Sequence, residues 1–155
     1  YGGEIGATKF TSILGILRSC AGNENTLHKK RIAACSMPMK SFKEMGIIAS
    51  GNADWPVCSA NVMEGIHVCV NRTTETGQDL SQNQAIRVMD AIRVYTWNGA
   101  YLSKDEDRLG SIEPGKLADL IVLDKDILTV DTEEIKEIQV LTTIVDGKIV
   151  FKKDH

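Results

Sequence analysis

The order in which the chain changes texture restricts its fold more than any single motif does. Residues 46–57, GIIASGNADWPV, hold one brief apolar run, Ile47 to Ser50, that reads as a strand. Helical patterns follow it, and strand patterns return only from about Leu109, after the polar stretch SKDEDRLG. One strand is not a sheet and needs partners. A lone strand, then helices, then strands of a separate sheet do not close into a self-contained doubly wound fold. The expectation is an α/β chain whose first sheet is completed elsewhere.

The local signals fill in this plan. Phe10, Ile13, Leu14 and Leu17 make one face of an amphipathic helix, which GNEN then breaks. SMPMKSFKEMG has Pro38 in a first turn and Gly46 just past the end, the usual asymmetry of a short helix. VMEGIHVCV predicts a helix opened by Asn61 and Glu64 as a capping box, and TTETGQDL is a polar connection. Ser81 and Gln84 stand in the same arrangement ahead of AIRVMDAIRVY, whose Ile86, Met89 and Val94 form a core-facing stripe. In the tail, Pro114-Gly115 fits a type II turn leading into a strand at Leu120 to Leu123. Asp131 and Glu134 cap a short helix, and Asp146-Gly147 joins two β-rich runs as a hairpin.

Composition excludes several classes of function. With 43% hydrophobic and 25% charged residues in 155, the chain is globular and long enough to bury a core. A net charge of -3, without blocks of like charge, argues against a nucleic-acid surface. No apolar run is long enough for a bilayer and no signal-peptide pattern opens the chain, so the expected location is cytoplasmic with no membrane contact. Cys20, Cys35, Cys58 and Cys69 lack C-x-x-C spacing and read as small buried residues. The sequon at Asn71 would matter only in a secreted chain.

Four stretches together resemble the C-terminal end of the metal-dependent amidohydrolases, more narrowly the amidohydrolase family 3 branch. They are GIIASGNADWPV, RVYTWNGAY, EDRLGSIEPGKLADLIVLDKDILTV and VLTTIVDGKIVF, spanning about Arg31 to Lys152, and GSIEPGKLADLIVLD is the most specific. The resemblance implies the terminal β/α unit of a (β/α)₈ barrel followed by strands of a small composite β-sandwich. Its expected organisation is an unmatched helical segment at 1–30, the end of the hydrolase barrel at 31–104, and the C-terminal part of the sandwich at 105–155. A complete barrel needs on the order of 250 residues, so the chain supplies at most its final unit.

Catalytic residues of such barrels sit at the C-terminal ends of strands. By this resemblance Asp54 is the strand-eight aspartate that touches the metal and acts as a base, and Trp55 is a candidate for lining the substrate pocket. A divalent metal, zinc by family habit, activates a water, and a carboxylate beside it takes the proton and returns it to the leaving amine. An aspartate after Asn-Ala is also ordinary turn or cap chemistry. The family usually has Gly-Ser before this aspartate where this chain has Asn52-Ala53.

A metal site needs three or more ligands, and the histidines are only His28, His67 and His155, without H-x-H or H-x-x-x-H spacing. His67, a lone helix histidine, is expected to be a packed or surface residue with no metal role, and Asp119 and Asp124 to be strand-end and turn residues. The expected function is therefore the C-terminal portion of a metal-dependent hydrolase of non-peptide C–N bonds in small amide-type molecules, the chain alone being inactive and holding no metal. Two alternatives stay open, a non-catalytic scaffold derived from an amidohydrolase and a deaminase of the same superfamily. The expected macromolecular partner is the missing barrel portion or a second copy.

Overall fold

The computed structural model describes residues 37–53, 55–56, 59–73, 77 and 79–154. The helix expected around Phe10 to Leu17 lies outside them, as do Cys20, Cys35, Cys58 and Asp54. Among the described residues, four α-helices precede the sheet. α1 is Met39–Glu44, α2 is Val62–Asn71, α3 is Val88–Tyr95 and α4 is Trp97–Ser103. The tail holds β1 (Leu120–Leu123), β2 (Val140–Val145) and β3 (Lys148–Lys152), with one six-residue 3₁₀ helix, Thr132–Glu137, between β1 and β2.

α1 follows Pro38, and Gly46 at φ +71° closes it, its N–H donating to Lys43 O at 3.1 Å. A left-handed residue after the last turn lets the chain leave the helix without a Cβ clash. The Ile47 to Ser50 run that follows joins no ladder among the described residues, so the strand expected there is not assigned. An extended run becomes a strand only by pairing, and the sole described sheet is β1-β2-β3.

α2 starts as expected at Asn61, but with different wiring. Asn61 Oδ1 accepts from the Met63 N–H at 3.1 Å, and Glu64 Oε1 accepts from the Asn61 side-chain amide at 3.3 Å and from Ser59 Oγ at 3.2 Å. The carboxylate thus steadies the capping side chain instead of the capping backbone. Arg72, at φ 53°, ends the helix with its N–H on Val68 O.

The expected cap at Ser81 is corrected. Ser81 is left-handed and makes no cap bond, Asp79 Oδ1 accepts from the Gln82 N–H at 3.1 Å, and a single 3₁₀ turn, Gln82–Gln84, precedes α3. Gln84 is drawn off to α1, where its Oε1 accepts from Ser41 N–H and Oγ, each at 3.1 Å. Because α3 starts only at Val88, its buried face is Ala91 and Val94 with Val88, Ile92 and Tyr95, and Met89 points to solvent at 50% exposure. Met89 lies one residue out of phase with that face.

In the tail, Lys116 N–H donates to Glu113 O at 3.2 Å across Pro114-Gly115, with Gly115 at φ +93°, the type II turn expected. Asp131 caps the 3₁₀ helix through Glu133 N–H at 3.0 Å, whereas Glu134 reaches Lys125 at 2.7 Å and takes no part in a capping box. The sheet is antiparallel with β2 in the middle; Leu120 faces Ile144, and Thr143 faces Phe151. Asp146 and Gly147 both have positive φ, as the tight hairpin requires.

One apolar cluster joins the two parts. Met63, Ile66, Cys69, Leu80, Ala91 and Val94 come from the helical part, while Ile135 and Ile138 arrive from the 3₁₀ region of the tail. Ile135 is fully buried. Residues at i and i+3 of a 3₁₀ helix share a face, so Ile135 and Ile138 enter the core side by side.

Candidate functional site

The segment leading to Asp54 is held from one side by α3 and α4. Ala49 is buried, and its carbonyl accepts from Asn98 Nδ2 at 2.8 Å. Two residues on, the Gly51 N–H donates to Val94 O at 3.1 Å. Val94 lies in the last turn of α3, where carbonyls run out of intrahelical partners. Tyr95 completes the strap. Its ring fills the space that a Cβ on Gly51 would take, and its hydroxyl end lies against Gly65 of α2. A tyrosine ring can come this close to backbone only where side chains are absent. Burial pushes its phenol pKa up, and the neighbouring Cys69 adds to that.

Beyond Gly51 the chain turns outward. Asn52 and Pro56 are exposed, and Trp55, the sequence candidate for the pocket, is 73% exposed. Asp54 itself is outside the described residues, so the structure gives its side chain no surroundings.

Beside Ile47, Ile48 and Ala49 lies an open, mostly apolar cleft of about 240 Å³ between α1 and α3–α4, with Phe42, Val94 and Trp97 on its walls. Its rim is charged. Asp90 joins Lys43 at 2.6 Å and Arg87 at 3.1 Å. Burial raises the Asp90 pKa, but the hydrogen bonds and charges of Lys43 and Arg87 outweigh it and hold the carboxyl below its usual range. A carboxylate so neutralised ties α1 to α3 and is a poor proton acceptor. Arg93 sits 4.9 Å over the Trp97 ring, which stacks on Tyr101 at 5.1 Å.

The remaining sequence candidates are structural. His67 is buried and lies with Nε2 at 3.2 Å from Glu133 Oε2, while Asn71 Nδ2 donates to Thr132 O at 2.8 Å, so both tie α2 to the tail. Asp119 Oδ1 accepts from Asp146 N–H at 2.8 Å, and Asp124 Oδ1 from Gln139 N–H at 2.9 Å. These are the strand-end and turn roles expected of them. Cys69 is fully buried, and desolvation pushes its thiol up to about 12 although Arg72 pulls the other way, so it is no nucleophile at neutral pH. Among the described residues, no group of three or more His, Cys, Asp or Glu could hold a metal ion. The described residues therefore do not fit a metal site.

Three contributors had weaker signals in the sequence. Asn98, beside Gly99, puts two poor helix formers inside α4, a hint that something other than helix propensity selects them. Lys116 reads as a surface lysine, yet its side chain is 11% exposed and its Nζ donates to Glu106 O at 2.5 Å and Ser111 Oγ at 2.6 Å. Arg72 is wholly buried, with its guanidinium on Met37 O at 3.3 Å and Leu80 O at 2.9 Å. Burial lowers its pKa, against which Cys69 and Asp79 act. No helix among the described residues is long and apolar enough to cross a membrane.

Comparison with known proteins gives consistent similarities. The pattern of the Amidohydrolase family matches residues 20–151. N-substituted formamide deformylase of Arthrobacter pascens is 36% identical over 116 residues, which is 75% of this chain and 21% of that enzyme. The chain thus spans about a fifth of the length of this relative. Among solved structures, an amidohydrolase from Thermotoga maritima MSB8 superposes with a TM-score of 0.58 at 23% identity, covering 76% of this chain and 27% of that one. An uncharacterized metal-dependent hydrolase from Pyrococcus horikoshii OT3 gives 0.57 at 26% identity, covering 67% and 22%.

Proposed function

We propose, from the premise that this chain belongs to the amidohydrolase family, that it is the C-terminal portion of a hydrolase of non-peptide C–N bonds. The observation that carries this reading is the family match across residues 20–151, which takes in both the segment ending at Asp54 and the Lys116-pinned loop. In this reading Ile47 to Gly51 is the last strand of a (β/α)₈ barrel, and β1 to β3 are strands of a small composite sandwich. The superposition on a Thermotoga maritima amidohydrolase supports an amidohydrolase fold for the chain.

Asp54 is then the general base at the strand mouth, and Trp55 lines the entrance. The substrate is a small amide-type molecule, for which the deformylase similarity favours an N-substituted formamide. Similarity to a metal-dependent hydrolase supports dependence on a divalent cation that activates water, and the family resemblance makes zinc the choice. Its ligands are assigned to Asp54 and to residues elsewhere in a longer chain, since the described residues offer no ligand set.

The test is Asp54→Asn in the full-length, zinc-supplemented protein, assayed for release of formate from an N-substituted formamide. Loss of turnover by about three orders of magnitude with the fold intact is expected. Wild-type turnover by the variant would remove Asp54 from the chemistry.

A further inference from the structure

We infer that Asn98 is a positioning residue for the proposed hydrolysis, acting with Tyr95 to set where the Asp54 strand end sits. The inference rests on the function proposed above. Within the run that leads to Asp54, Ala49 and Gly51 are both tied to the same helix pair. Asn98 Nδ2 donates to Ala49 O at 2.8 Å, Gly51 N–H donates to Val94 O at 3.1 Å, and the Tyr95 ring bears on Gly51. Asp54 follows Gly51 by three residues.

The two hydrogen bonds differ in what they can do. That of Gly51 is backbone to backbone, ties the run to α3, and is not removed by exchanging a side chain. That of Asn98 reaches from a side chain in α4 to a carbonyl in the run that carries the base, and so links the height of the run to the placement of a helix. Asn98 sits just after Thr96, whose φ of -127° and ψ of -94° separate α3 from α4. An amide suits the task because it donates without charge, and a carboxylate of the same shape would face the Ala49 carbonyl with oxygen against oxygen. A reacting group misplaced by about 1 Å can lose on the order of 100-fold in rate, so a remote anchor of this kind can govern turnover without touching substrate.

The experiment uses the full-length zinc-loaded protein and compares Asn98→Asp, Asn98→Ala, Asp54→Asn and Thr96→Ala. Thr96 is the control, since its Oγ1 donates to Ile92 O at 2.8 Å and this bond stays within the helix. For both Asn98 variants kcat should fall about 100-fold with KM little changed. Amide hydrogen exchange at Gly51 should accelerate about tenfold, while Thr96→Ala leaves both readouts near wild type.

Asn98 variants that fold and keep wild-type kcat overturn the inference, as does a loss matched by Thr96→Ala. Failure of both Asn98 variants to fold also overturns it, making the contact a requirement of the fold. If Asp54→Asn abolishes turnover while the Asn98 variants retain it, only this inference falls. Should Asp54→Asn turn over normally, the proposed function falls and the positioning role with it.

Discussion

The ring of Tyr95 lies where a side chain on Gly51 would have to go. This single contact joins the end of α3 to the run before Asp54, and the same ring reaches Gly65 in α2. Three segments remote in sequence are thereby registered against one another by one side chain and two absences.

Gly51→Ala or Gly65→Ala should therefore destabilise the protein by about 1–3 kcal/mol, the range for forcing an added methyl into a packed site. Urea unfolding of each variant against wild type checks this. An unchanged midpoint would mean that Tyr95 moves aside without loss.

Lys116→Met should cost about 2 kcal/mol, since it strips a nearly buried ammonium from the Glu106 carbonyl and the Ser111 hydroxyl. The methionine keeps the hydrocarbon stem, so the loss reports the polar contacts. Thermal melting gives the size, and faster proteolysis between residues 104 and 116 gives the place.

Stability should fall as the solution is made alkaline. The Cys69 thiol is raised from 9.0 to about 12 in the folded chain. Between those values the unfolded chain has lost the proton that the folded chain keeps, so stability is intact below about 9 and declines up to about 12, by at most about 1.4 kcal/mol per pH unit. The upward shift of Tyr95 acts in the same sense. Cys69→Ala should flatten the decline, as followed by chemical denaturation across pH 7.5 to 11 (about the accessible range).

The tail sheet leaves Ile121, Val122, Ile149, Val150 and Phe151 between 47% and 63% exposed. An apolar sheet with open edges favours association. The 155-residue chain by itself should self-associate with rising concentration in sedimentation velocity, and Phe151→Lys should shift it toward monomer.

The isolated chain supplemented with zinc should turn over no N-substituted formamide, because its described residues form no metal site. Formate release above background would contradict this.

What the sequence determined by itself is local. Gly46, Pro114-Gly115 and Asp146-Gly147 signal their turns because positive φ and a fixed proline φ are properties of those residues wherever they stand. The helices at Val62 and near Val88 and the strand at Leu120 were legible from their local apolar and capping patterns, and the family resemblance from four short stretches of sequence. Tertiary structure decided what depends on partners far along the chain. Ile47 to Ser50 has the composition of a strand, but a strand exists only by pairing, and none of the described residues pairs with it. Gln84 could cap its own helix and instead bonds Ser41. Lys116 reads as a surface residue until the loop closes over it, and Asn98 is an ordinary helix residue until Ala49, 49 positions away, comes within 2.8 Å. A side chain's role is fixed by whichever donor or acceptor the fold brings beside it, and that proximity is not written in its immediate neighbours.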